Sequence, residues 1–134
     1  MATLTPPPFD QLLGLEFVEA TAQRVVAHIE VAPKHTQPYG IVHGGVYCSM
    51  AETVASFGAV LAIGAEGAGA VGQSNHTDFL RATRSGTLTA TATPVHVGRS
   101  VQLWAVEITD DEGRLCAQSK VRMFNIAAGT VDKR

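Results

Sequence analysis

One carboxylate in this chain stands where few are found. Residues 46–63 read as a single helix, and Glu52 is its one strongly ionisable side chain, accompanied only by the weakly acidic Tyr47 and Cys48. Among small and apolar neighbours Glu52 is expected to lose part of its hydration, which suits a carboxylate to act as a base or a nucleophile. The plainer alternative is an interface glutamate that caps or hydrogen-bonds a neighbouring segment. Nine positions before it, His43-Gly44-Gly45 opens the helix. N–H groups at a helix start lack intrahelical partners and lie at its positive end, so they can hold a developing oxyanion. Gln37, in the loop just before, can donate to the same oxygen.

Other chemistries find weaker footing. Arg81 and Arg84 flank one connection between strands, Gly98-Arg99-Ser100 forms another, and Arg122 lies on the last strand. Arginines at such places are mostly solvated surface. Beside small residues and turn N–H groups they also suit phosphates, as on a nucleotide-bearing ligand such as coenzyme A. His28, His35, His43, His76 and His96 fall in separate segments without metal-ligand spacing; His76-Thr77-Asp78 is the best pair, and no metal is expected. No G-x-S-x-G nucleophile elbow occurs. Cys48, with no evident basic partner, reads as a packed thiol.

The elements that must position these residues follow from pattern. Residues 1–8 form an extended, proline-rich lead-in, and residues 9–13, closed by Gly14, a short helical turn. Strands are expected at 15–20 and 24–31, the second with Val25, Ala27, Ile29 and Val31 on one face. A polar, proline-containing loop over 33–42 leads into the helix, which the glycine-rich tract 64–72 ends. Four more strands follow at 71–81, 86–97, 101–109 and 114–126, the last two joined by the turn Asp110-Asp111-Glu112-Gly113, and a tail covers 127–134. This is an α+β chain in one domain, residues 1–134, without internal repeats. On the helix, Val46, Met50, Val54, Phe57 and Leu61 make an apolar stripe. The opposite side, with Cys48, Glu52, Ala55, Ser56 and Ala59, is too small and uncharged for a solvated face. The helix is therefore expected to be covered on most sides, by its own sheet and by a second subunit.

Composition narrows the function classes. With 46% hydrophobic and 16% charged residues the chain can build a core. A net charge of −2 supplies no basic field for nucleic acid. Two cysteines make neither a disulfide framework nor a four-cysteine zinc site. The first residues lack a signal-peptide pattern, and a reducing, cytoplasmic compartment is the expectation. The apolar run 46–63 raises the membrane question, but Glu52, Thr53, two serines and Gly58 favour a buried helix over a spanning one.

His43-Gly44-Gly45, a carboxylate nine residues on, and four trailing strands together resemble the hotdog-fold acyl-CoA thioesterases, in particular the PaaI-like group and the glutamate-using 4-hydroxybenzoyl-CoA thioesterases. The specific part is Gln37-Pro-Tyr-Gly-Ile-Val-His-Gly-Gly followed by Ala51-Glu52-Thr53, and Asn75-His76-Thr77-Asp78-Phe79-Leu80-Arg81 looks like the family's third strand. The resemblance implies a hotdog fold, an antiparallel sheet of about six strands wrapped around one long helix. It implies Glu52 as nucleophile or general base, the Gly44 N–H polarising the thioester carbonyl with Gln37 assisting, and His43 shaping the loop. Ser56 stands where the glutamate branch has a water-positioning Thr. It further implies that Arg81, Arg84, Arg99 and Ser100 meet the coenzyme A moiety of an aryl- or fatty acyl-CoA, with no cofactor. A homodimer assembling to a homotetramer is implied, with Glu52 supplied from the subunit opposite Gln37 and Gly44. Two rival readings are a non-catalytic acyl-CoA-binding domain and a hotdog enoyl-CoA hydratase or dehydratase.

Overall fold

The computed structural model describes residues 5–66 and 68–128. The first half of the lead-in, Gly67 in the glycine-rich tract, and the tail beyond residue 128 lie outside the described residues. A short helix α1 (Pro8–Leu13) is closed by Gly14, whose φ of 74° is left-handed backbone that glycine adopts without strain. Then come strands β1 (Glu16–Ala20) and β2 (Val25–Glu30), a 3-10 turn at Pro33–His35, and the long helix α2 (Gly44–Ile63). Strands β3 (Gly69–Phe79), β4 (Thr87–Val97), β5 (Val101–Thr109) and β6 (Leu115–Ile126) complete the order.

The strands form one antiparallel sheet in the order β1-β2-β4-β5-β6-β3, with α2 laid across it. This is the hotdog arrangement that the resemblance implies. Period-two alternation decides which side chains meet the helix. Val25, Ala27 and Ile29, then Leu88, Ala90 and Ala92, then Trp104, Val106 and Ile108 are fully buried, while the β4 threonines between them point away. The alanines keep the sheet close to Ala51, Ala55 and Ala59 of α2, all fully buried. At Gly58 the approach is tighter still: a Cβ there would lie 2.5 Å from the Trp104 ring, so only glycine fits beneath that indole. α2 is long and apolar enough to cross a membrane by length and composition alone, but here its sheet-facing side forms the core.

Several expectations need correction. α2 starts two residues before the expected position, because His43 caps it and lets both glycines join the first turn. β3 is shifted toward the N-terminus relative to 71–81. The apolar stripe holds through Val46, Met50 and Val54, and Phe57 packs on Phe17 with ring centroids 4.5 Å apart. Leu61 does not follow: it is 44% exposed, because at that level the sheet meets α2 through Gly58 and Ala59, under Trp104 and Gln102. Cys48 is half-buried in a surface cleft rather than packed in the core.

Candidate active site

The loop before α2 folds back on itself. Gln37 N–H donates to Ile41 O at 2.9 Å, Gly40 N–H to Gln37 O at 2.8 Å, and Thr36 bridges to Val42. His35 anchors its base: Nδ1 accepts from Ala32 N–H at 2.9 Å, which leaves the proton on Nε2 to be donated to Leu13 O at 2.7 Å. This delivers Gln37 and Gly44 to one cleft of about 320 Å³, shared with Ile41, Val42, Tyr47, Phe79, Leu80 and Arg81. The Gln37 carboxamide oxygen accepts from Tyr39 N–H, which leaves its NH₂ group as the donor. His43 Nδ1 accepts from Gly45 N–H at 2.8 Å. That bond uses up the second glycine's donor, so the Gly44 N–H is the one left for a ligand at this helix end. A side chain at Gly44 would come within 2.6 Å of the Phe79 ring, so the ring and the bare backbone form the cleft wall together. Burial pushes the Tyr47 hydroxyl above its ordinary value, with the neighbouring Thr83 opposing, and the ring lines the cleft as a neutral group.

Glu52 lies elsewhere. It is half-buried in a second cleft of about 290 Å³ with Phe9, Cys48, Ser49, Thr53 and Asn75. α1 is pinned beside it, since Thr53 Oγ1 donates to the buried Asp10 carboxylate at 2.6 Å. Asn75 Nδ2 donates to Glu52 Oε1 at 3.1 Å. The two clefts share no lining residue, and Glu52 stands eight positions after Gly44 on α2, a rise of about 12 Å.

A thioesterase superfamily model matches residues 39–117, which include the Gly44 turn, Glu52 and the two central strands. The chain belongs to the thioesterase superfamily. It is similar to Rv1847/MT1895 of Mycobacterium tuberculosis, with 47% identity, a TM-score of 0.89, and coverage of 91% of this chain and 98% of that one. It is also similar to thioesterase HI1161 of Haemophilus influenzae, with 34% identity, a TM-score of 0.82, and 92% of each chain covered. A 1,4-dihydroxy-2-naphthoyl-CoA hydrolase of Listeria monocytogenes is 34% identical over 110 residues, which are 82% of this chain and 89% of the hydrolase.

In this thioesterase-superfamily member the remaining candidates are scattered within one chain. Arg81 lines the Gly44 cleft, and Arg84 donates to Tyr39 O at 2.9 Å on the same loop, so both flank the helix start. Arg99 and Ser100 sit with Ile63 at the far end of α2, about 30 Å away along a 20-residue helix. Ser56 Oγ is directed to Met123 Sδ at 3.8 Å. His76 and Asp78 pair at 3.5 Å on the exposed face, and among the described residues no three His, Cys, Asp or Glu side chains converge as metal ligands. Asn75, Asp10 and Phe9 around Glu52 were not anticipated. For Asn75 the available signal was β3's alternation, which turns Asn75 and Thr77 inward and His76 and Asp78 outward.

Proposed function

We propose that the protein hydrolyses acyl-CoA thioesters of aryl or fatty acids in sites built across two subunits. The observation that carries this reading is the separation of the two halves of the site. A carboxylate must come within about 3–3.5 Å of the carbon it attacks, or of the water it activates. In one chain Glu52 and the Gly44 donor are divided by about 12 Å of helix rise and open into different clefts. A second protomer supplies the missing half. The 11-residue β3 is an edge strand with one free row of backbone donors and acceptors, and it borders the Glu52 cleft through Asn75. Pairing there brings the Glu52 of one protomer toward the helix start of its partner. Dimers then associate as a tetramer.

In the proposed reaction the thioester carbonyl lies against the Gly44 N–H, with the Gln37 amide as second donor. Negative charge developing on the carbonyl oxygen is held by these two, and Glu52 attacks the carbon or activates the attacking water. If Glu52 attacks, the C–S bond breaks, coenzyme A leaves as the thiol after taking up a proton, and water then splits the acyl anhydride to free acid and the Glu52 carboxylate. If Glu52 takes a proton from water, the hydroxide adds to the carbon, the C–S bond breaks, and the thiolate leaves with that proton. Tyr47, Phe79 and Leu80 offer an apolar wall to the acyl or pantetheine portion. Arg81 and Arg84 at the rim suit the coenzyme A phosphates, and Arg99 and Ser100 reach the site from a neighbouring subunit. The similarity to a naphthoyl-CoA hydrolase supports an aromatic acyl group.

The test is thiol release from a panel of aryl and fatty acyl-CoAs by the wild type and Glu52→Gln. The expected result is turnover by the wild type and a loss of about a thousandfold or more in kcat for the variant. Tight binding without thiol release by the wild type would replace this reading with that of a binding domain. Consumption of an enoyl-CoA without thiol release would replace it with a hydratase.

A further inference from the structure

We propose that Asn75 is a positioning residue for Glu52, held in one orientation by a chain of hydroxyls reaching into the sheet; the inference rests on Glu52 being the reacting carboxylate. Asn75 Nδ2 donates both to Glu52 Oε1 at 3.1 Å and to the main-chain Cys48 O, one helical turn earlier, at 3.0 Å. The Asn75 Oδ1 accepts from Thr77 Oγ1 at 2.7 Å. Thr77 Oγ1 lies 2.7 Å from Ser119 Oγ, its register partner on β6. Thr77 has one hydroxyl proton and gives it to Asn75, so the Ser119 hydroxyl is the donor in the second bond. Donation therefore runs one way, from Ser119 to Thr77 to Asn75 to Glu52. Ser119 is 1% exposed and sits on the inner face of the sheet. Turning the carboxamide over would set its oxygen against the carboxylate and against the Cys48 carbonyl, three acceptors together with no proton among them.

The same strand approaches the other carboxylate oxygen. A Cβ on Gly72 would lie 2.1 Å from Glu52 Oε2, at the irregularity where the β3–β6 register shifts between Gly72 and Ser74. β3 thus occupies Oε1 through Asn75 and leaves Oε2, beside a bare glycine, as the oxygen that reacts. Glu52 is set in place by its own chain, ready for a carbonyl held by another.

The experiment measures kcat and KM with an acyl-CoA that the wild type turns over, for Asn75→Leu, Thr77→Val, their double variant, Gly72→Ala and Glu52→Gln, with melting temperatures recorded for each. Asn75→Leu is expected to lower kcat by about tenfold to a hundredfold with KM within about twofold of wild type. Thr77→Val, which does not touch Glu52, lowers kcat less, and the double variant is no slower than Asn75→Leu, as for two links of one chain. Gly72→Ala keeps the fold, because only the end of the Glu52 side chain must yield, and lowers kcat. If Asn75→Leu fails to fold, Thr77→Val and Gly72→Ala carry the test. Wild-type kcat in the folded Asn75, Thr77 and Gly72 variants, with Glu52→Gln inactive, overturns the positioning role and leaves the hydrolase standing. Wild-type kcat in Glu52→Gln overturns the carboxylate's role itself.

Discussion

At the scale of single residues, two neighbouring glycines at the start of α2 differ in what their backbone N–H groups are free to do. Gly45 spends its N–H on His43, whereas Gly44 keeps its own and loses only the space that Phe79 occupies. In the proposed reaction the second donor to the carbonyl is a side chain, Gln37, and it is open to mutation. Gln37→Ala is expected to lower kcat by about a hundredfold, near the cost of removing one oxyanion donor, with thermal stability little changed since the loop's backbone bonds remain. Steady-state kinetics beside a melting curve checks this. Glu52 and Gly44 were legible in the sequence as candidates because a charged residue on an apolar helix and a glycine pair at its start are local patterns, and Gln37 was legible as a possible donor in the loop before them. Asn75 was not, since its meeting with Glu52 depends on how β3 packs over α2. The one-chain distance between Glu52 and Gly44, by contrast, follows from helix rise alone.

At the scale of elements, the β5–β6 turn carries a pH dependence of defined sign. Partial desolvation pushes the Asp110 carboxyl up, but N–H donation from Arg114 and Glu112 and the Arg114 guanidinium at 2.8 Å outweigh it and hold the group below its ordinary value. A carboxyl lowered in the folded state stabilises the fold above its unfolded pKa of about 4 and loses that contribution as pH falls through its folded value. Denaturation midpoints followed from pH 6 to pH 2 are expected to fall less steeply in Asp110→Asn than in the wild type, from a lower starting point. This turn was readable from Asp110-Asp111-Glu112-Gly113, as were all six strands from alternation and turn residues. The elements were displaced where a partner outside the local window decides. His43 moved the start of α2, and the insertion of Trp104 over Gly58 turned Leu61 outward. Within the helix, Gly58 is the trace of that indole, and it does not say which residue fills the space.

At the scale of the whole molecule, the described residues of this thioesterase-superfamily member place the Gly44 turn and Glu52 in separate clefts and leave β3 as a long strand at the sheet edge. The covered second side of α2 was inferred from its small residues. Ala55 and Ala59 turn out to be buried by the chain's own sheet, whereas Cys48, Glu52 and Ser56 remain half-open. The half-open residues are the ones a second subunit would close over. The most direct test mixes two impaired proteins, Glu52→Gln and Gln37→Ala, after dissociating and reassociating them together. If each site takes Glu52 from one subunit and Gln37 from the other, every mixed dimer holds one intact site. Activity then returns to about a quarter of the wild-type value, because half of the dimers are mixed and one site in two is intact. Mixing that restores nothing beyond the sum of the two parents, with exchange of subunits verified by mass, would contradict the shared site.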